Sequence, residues 1–282
     1  MTTGGFSSKR LGRVRDVLAR HVDAGYVPGA VAVVARHGEV HVEAAGTLAF
    51  EGAGAKTPMA ADTICRTGSM TKPVVAACAM TLVEDGTIRL DDPVDPLLPE
   101  LADRTVLADP DGPLEDTVPA SRPVTLRDLL TFTFGSGIVA AEPGTIPIAD
   151  ALSALYSDEP GPPPPDEWMR RLGALPLVYQ PGERWMYHTA ASVTGVLIAR
   201  ATGMSLGDAL RERICVPLGM KDTAFSVGGE SIGRLATAYQ PDDATGELVV
   251  EDGPDGYWSR PQAFEDGGGG LVSTASPSGS SG

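Results

Sequence analysis

Basic residues are scarce in this chain, and lysine is the scarcest, with four among 282 residues. Lys and Arg together number 22 against 37 acidic residues, which sets the formal net charge at -15 and the isoelectric point near 4.6. Such a surface offers no basic face for nucleic acid or anionic lipid. Long apolar runs are missing as well. Nothing approaches the ~18 consecutive apolar residues of a membrane-spanning helix. The opening MTTGGFSSKRLGRVRDVLARHVDAG lacks the apolar stretch of a signal peptide. Cysteine is rare: Cys65, Cys78 and Cys215 form an odd set, and the last two sit in apolar helical patterns. They read as reduced core thiols rather than a disulfide framework. These absences together make cytoplasmic residence the expectation, with no nucleic-acid or membrane partner. The four histidines, His21, His37, His41 and His188, show no ligand spacing with the cysteines, so no metal is expected. The glycine run 267–270 lacks the Lys-Ser/Thr ending of a phosphate loop, so no nucleotide cofactor is expected either. The sequence leaves the oligomeric state open.

What is present is enough apolar residue, 42% of the chain, to bury a sizeable core in one large domain or two intimate ones. Leu11, Val14, Leu18 and Val22 share one face of an amphipathic helix over 10–24. AVAVVARHGEVHVEAAG reads as two β-branched runs turning at Arg36-His37-Gly38, a hairpin over 30–46. Residues 69–86 predict a helix apolar nearly all round, closed by Gly86, and so a buried one. In VTLRDLLTF, Thr125 is placed to cap a short helix with Asp128 at its third position. SDEPGPPPPDEW, residues 157–168, reads as a stiff exposed spacer. Two more helices are expected over 190–201 and 206–214. No internal repeat is visible. A hairpin, many helices and few late strands point to an α/β layer with a mainly helical lobe.

The chemistry concentrates in TGSMTKPVVAACAMTLVEDG. Lys72 stands three positions after Ser69, so on a helix they share a face and can touch. Pro73 has no N–H and is tolerated only near a helix start, which puts Ser69 in or just before the first turn. There the helix dipole and unpaired N–H groups favour an anion beside the serine oxygen. A lysine held in that field among apolar neighbours can accept the serine proton, giving a nucleophile and base without histidine. The spacing alone is weak, because a Ser-x-x-Lys arises readily by chance; the buried, Pro-marked helix start is what gives it weight. In PGERWMYHTAAS, Tyr187 stands just before another helix and could serve as a second base. Taken alone it reads more readily as a core-edge aromatic beside Trp185. Gly203-Met204-Ser205-Leu206-Gly207 fits the nucleophile-elbow pattern of α/β-hydrolases, yet a helix rather than a strand precedes it. Ser205 reads instead as an N-cap with Asp208 at N3.

These stretches, with GGGGLVSTA and PVTLRDLLTFTFGSG, resemble the serine β-lactamase/penicillin-binding protein superfamily, most closely its class C-like family VIII esterases. The resemblance runs from about residue 29 to 275. It implies a β-lactamase/transpeptidase-like α/β (α+β) fold: an antiparallel sheet flanked by helices, with residues 1–68 and 225–282 in the sheet region and 69–224 in a mainly helical region. It implies an acyl-enzyme at Ser69, Lys72 as partner base, and Tyr187 as the first residue of the Tyr-x-Asn-like motif. Thr189 stands at that motif's third position in place of Asn, and the SMTKP form goes more with esterases than with lactamases. Trp185, Phe134 and Thr189 are candidates for shaping a substrate pocket. The family continues past GGGGLVSTA into further helices and strands, one of which donates half the oxyanion hole; here SPSGSSG follows instead. The sheet is therefore expected to be incomplete, leaving the 30–46 hairpin with an unpaired edge. Loss of one oxyanion donor typically costs ~10²–10³ in rate. The expected activity is hydrolysis of small acyl esters. A β-lactamase or D-amino-acid peptidase/amidase on the same apparatus is the alternative, and a catalytically impaired or ligand-binding paralogue is another.

Overall fold

The structure, a computed structural model, describes residues 5–158 and 161–275. In chain order its first elements are α1 (Ser8–Asp23), β1 (Gly29–Arg36), β2 (Glu39–Gly46), β3 (Ile64–Arg66) and α2 (Thr71–Glu84). There follow β4 (Thr105–Leu107), β5 (Thr117–Pro119), α3 (Leu126–Leu130), α4 (Pro147–Ser153) and α5 (Pro165–Gly173). The last are α6 (Thr189–Thr202), α7 (Leu206–Leu210), β6 (Ala238–Pro241), β7 (Leu248–Asp252) and β8 (Val272–Thr274). The chain divides into two compact units, one made of the residues up to Arg66, Leu218–Pro261 and those from Val272, the other of Thr67–Pro217 and Gln262–Leu271. Residues 262–271, expected in the sheet region, fall in the helical unit.

In the first unit β1 and β2 form the expected hairpin, with Arg36 opposite Glu39. His37 and Gly38 both have positive φ, 50° and 80°. That is the requirement of a two-residue type I′ turn, whose twist matches the strands. One face of the hairpin meets α1, where Arg15 forks onto Glu43 at 3.0 Å through both nitrogens. On the other face Val31 and Ala44 pack against Leu48, Met59 and Ala236. β3 pairs with β8, and Ile64 and Val272 join Val227 and Leu235 in a second small core. The described strands pair two by two, β1 with β2, β3 with β8, β4 with β5 and β6 with β7, so among the described residues the hairpin has no third strand beside it. Cys65, expected in the core with the other thiols, is only half-buried on β3, whereas Cys78 and Cys215 are buried; all three are free.

The second unit is built on α2 and α6. Every residue of α6 from Thr189 to Ile198 is buried, as its lack of a polar face requires. Val75, Cys78, Ala79 and Leu82 of α2 pack into the same core. Gly86 (φ 78°) ends α2 in the left-handed conformation that closes helices most cheaply with glycine. Thr125 caps α3 through a full capping box with Asp128. Ser205 accepts from the Asp208 N–H as the N-cap of α7, so the G-x-S-x-G stretch is a helix–turn–helix and not a nucleophile elbow. The helix expected over 206–214 stops at Leu210 and runs on as a π-turn, 211–215. The proline-rich spacer also ends earlier than expected. Its residues 159–160 lie outside the described ones, and Pro165 opens α5 with Asp166 and Glu167 in the first turn. Proline at N1 and acids near the positive helix end favour that start, and Trp168 is fully buried against Phe264.

Candidate active site

All of the residues below lie in the second unit. Ser69 sits in a single 3-10 turn, Gly68–Met70, that leads straight into α2. Lys72 follows in the first turn of the helix with Pro73 behind it, so its side chain turns back over the serine. Lys72 is buried, with 9% of its surface exposed. Its Nζ donates to Ser69 Oγ at 2.9 Å and to the Gly268 carbonyl at 2.5 Å, and it lies 3.2 Å from His188 Nδ1. It also stands 4.6 Å from the centre of the Tyr187 ring, a cation–π distance. The Tyr187 hydroxyl donates to Ser69 Oγ at 2.7 Å. The serine oxygen is thus held between the lysine Nζ and the tyrosine Oη. The hydrogen bond with Ser69, and then the hydrogen bond and charge of Lys72, outweigh burial and hold the Tyr187 phenol below its ordinary value.

Three further features were not legible in the sequence. The first is a stack of aromatic rings in which Phe132 lies 6.2 Å from Tyr187 at 18°, and Trp185 lies 5.7 Å from it at 27°. Phe132 carries φ 61°, a strained conformation for a bulky residue that the surroundings must enforce. Its carbonyl accepts from the Met186 N–H at 2.8 Å, which ties the two edges of the stack together. The second is His188, with φ 83°, the residue before α6. The third is the segment 266–271. Thr67 N–H and Oγ1 both donate to the Leu271 carbonyl, and Leu271 N–H donates to Thr71 Oγ1. These bonds lash the segment to the head of α2 and bring the Gly268 carbonyl to Lys72.

Of the expected pocket residues, Trp185 is exposed (62%) and reaches the site. Phe134 and Thr189 do not line it: both are buried, at 0% and 2% exposed. Phe134 belongs to the core, and the phenylalanine beside Tyr187 is Phe132. A cleft of about 280 Å³ opens beside Tyr187, bounded by Ile138, Val139, Tyr179, Arg184 and Trp185. It is apolar on the isoleucine and valine side and polar at Arg184. Among the described residues no cluster of three or more His, Cys, Asp or Glu is placed to hold a metal, and no helix is long and apolar enough to cross a membrane.

An α/β fold with small antiparallel sheets, in which a serine, a lysine and a tyrosine converge at a buried helix start, defines the β-lactamase/transpeptidase-like class. The chain belongs to the Beta-lactamase family, whose model matches residues 14–277. Protein Rv1367c of Mycobacterium tuberculosis is 39% identical over 254 residues, 90% of this chain and 61% of its own length. Esterase EstB of Burkholderia gladioli is 37% identical over 262 residues, 88% of this chain and 62% of its own. The chain therefore spans about three fifths of the length of these relatives. Among solved structures, EstCE1, described as a hydrolase with promiscuous acyltransferase activity, superposes with a TM-score of 0.77 at 27% identity, covering 94% of this chain and 69% of that one.

Proposed function

We propose that this protein is a serine hydrolase of small acyl esters that works through an acyl-enzyme on Ser69. The observation that carries the reading is the meeting of Lys72 Nζ and Tyr187 Oη on one serine oxygen, at 2.9 and 2.7 Å. Serine is a poor nucleophile at its ordinary pKa and needs an adjacent base. In the proposed reaction Ser69 Oγ attacks the ester carbonyl carbon while its proton passes to the Lys72–Tyr187 pair. The tetrahedral intermediate collapses, the C–O bond to the leaving alcohol breaks, and the pair returns the proton to that oxygen. A water then attacks the acyl ester under the same base, freeing the acid and restoring the Ser69 hydroxyl. Similarity to the esterase EstB supports an ester as the substrate class, and similarity to EstCE1, a hydrolase with promiscuous acyltransferase activity, supports transfer of an acyl group. Thr189, buried where lactamases carry an asparagine, favours esters over β-lactams. The cleft beside Tyr187 has the size for a short acyl or alcohol group.

The test is turnover of short-chain p-nitrophenyl esters. The wild type is expected to show a burst of p-nitrophenol followed by steady hydrolysis, and Ser69→Ala is expected to show neither. A chromogenic cephalosporin hydrolysed faster than the esters would replace the esterase reading with a β-lactamase one.

A further inference from the structure

Three polar atoms stand within 3.2 Å of Lys72 Nζ: Gly268 O, Ser69 Oγ and His188 Nδ1. The Gly268 carbonyl is an acceptor only. Ser69 Oγ accepts from Nζ at 2.9 Å, and as a hydroxyl it can donate to Nζ once the amine is neutral. His188 Nδ1 is the neighbour whose role depends on its tautomer. A neutral amine has two N–H groups and one lone pair. If the two N–H groups point at Gly268 O and at a bare Nδ1, the lone pair is left aimed at the serine hydroxyl. If Nδ1 carried the hydrogen instead, it would occupy that lone pair and take the base away from Ser69.

We infer that His188 is a positioning residue that aims the lone pair of Lys72 at Ser69, with Asp266 fixing its tautomer. The inference rests on the hydrolase reading above and extends it to a residue outside the Ser-Lys-Tyr set. His188 Nε2 lies 3.9 Å from Asp266 Oδ2, close enough for the carboxylate's field to favour hydrogen on Nε2 and a bare Nδ1. Asp266 is itself held: its Oδ1 accepts from Ser192 Oγ at 2.5 Å and from the Gly268 N–H at 2.8 Å. The groups facing the ring are Lys72 from α2, Asp266 from the 266–271 segment, and the rings of Tyr156 (5.3 Å, edge-on) and Tyr187 (6.1 Å). Tyr156 donates to Ser192 Oγ at 3.3 Å, and burial keeps its phenol protonated. Gly268 completes the fit. A Cβ there would stand 2.8 Å from His188 Cε1 and 2.9 Å from Nε2, so only glycine lets this carbonyl reach Lys72 beside the imidazole. The left-handed backbone of His188 is strain of the kind that clusters at functional sites. Burial, reinforced by Lys72 and opposed by Asp266, pushes the imidazole below its ordinary value. It therefore stays neutral over more of the pH range than a free imidazole and becomes a cation only on acidification.

The experiment is the second-order rate of Ser69 labelling by a fluorophosphonate, followed by intact mass from pH 5 to 9 for wild type, His188→Leu and His188→Gln. Imidazole ¹⁵N shifts of the wild type are recorded alongside. His188→Leu is expected to label ~10²–10⁴ slower at pH 7, the range of a misdirected general base. His188→Gln, whose amide oxygen is an acceptor that does not titrate, is expected to recover much of that loss. It should also lose the acid-side fall in rate that wild type shows below its ordinary titration range (pH ~6.5). The ¹⁵N shifts should report hydrogen on Nε2, which decides the matter even if His188→Leu fails to fold. A wild type that does not label at Ser69 would sink the hydrolase reading and this one with it. A labelled wild type with an equally fast, folded His188→Leu, or with hydrogen on Nδ1, would overturn the His188 assignment alone.

Discussion

At the scale of single residues, the account turns on what surrounds one serine oxygen. Tyr187→Phe removes the hydroxyl that donates to Ser69 while keeping the ring that stacks on Phe132 and Trp185. Acylation is expected to slow by ~10²–10⁴ with the melting temperature unchanged. The pH profile should change too. The Tyr187 phenol is held below its ordinary value by Ser69 first and Lys72 next. As pH rises through that lowered pKa the phenolate fraction grows, so wild-type acylation should climb on the alkaline side. Stopped-flow acylation of the phenylalanine variant should lack the climb. Gly268→Ala drives a methyl into the His188 ring and is expected to cost at least ~10-fold in labelling rate by displacing a carbonyl that holds Lys72. Ser69, Lys72 and Tyr187 were legible in the sequence because their signals are local: a three-residue spacing, a proline that fixes the helix start, and a tyrosine before the next helix. His188, Asp266 and Gly268 were not, because Gly268 lies 196 residues from Lys72 in the chain and no local pattern reports such a meeting. Phe134 stood out over Phe132 for the same reason, since sequence carries no sign of which backbone is held at positive φ with its half-buried ring beside Tyr187.

At the scale of elements, the short helix α3 shows how much a cap can hold. Asp128 accepts from Thr125 N–H and Oγ1, and Arg122 forks onto both its oxygens at 2.6 and 2.8 Å. Thr125→Ala breaks the capping box and is expected to cost about 1 kcal/mol in urea denaturation. Burial acts to raise the Asp128 carboxyl, but the bonds from Arg122 and Thr125 outweigh it and hold the group below its ordinary value. A carboxylate depressed in the folded state contributes stability above its unfolded pKa, and that contribution is lost as pH falls through the folded one. Stability should therefore drop below about pH 4, and Asp128→Asn should flatten that part of the curve. The sequence announced this cap, the His37-Gly38 turn and the Ser205 cap, because each depends on side chains a few residues apart. It misjudged the start of α5, where four successive prolines suggested an extended chain, although the last of them is well suited to the first helical position and Trp168 is drawn into the core. Pairing between strands far apart in the chain, such as β3 with β8, is not written in any local pattern.

At the scale of the whole molecule, the catalytic candidates come from one of two units, and the family match spans nearly all of the chain. A net charge of -15 keeps the surface strongly acidic at neutral pH. As the chain approaches its isoelectric point near 4.6 that repulsion vanishes and association is expected. Light scattering should be highest there, and kinetic pH profiles belong above it. The hairpin turned by His37 and Gly38 belongs to the first unit, and Ser69, Lys72 and Tyr187 to the second. Val40→Lys, at a residue already 52% exposed, is accordingly expected to leave the labelling rate within ~2-fold and stability within about 0.5 kcal/mol. The central claim, that Ser69 is an activated nucleophile, is tested most directly by intact-mass spectrometry after treatment with a fluorophosphonate, comparing wild type with Ser69→Ala. The account predicts a single adduct that maps to Ser69 in the wild type and none in the variant. A folded wild type that takes up no adduct, or an adduct that persists in Ser69→Ala, would contradict it.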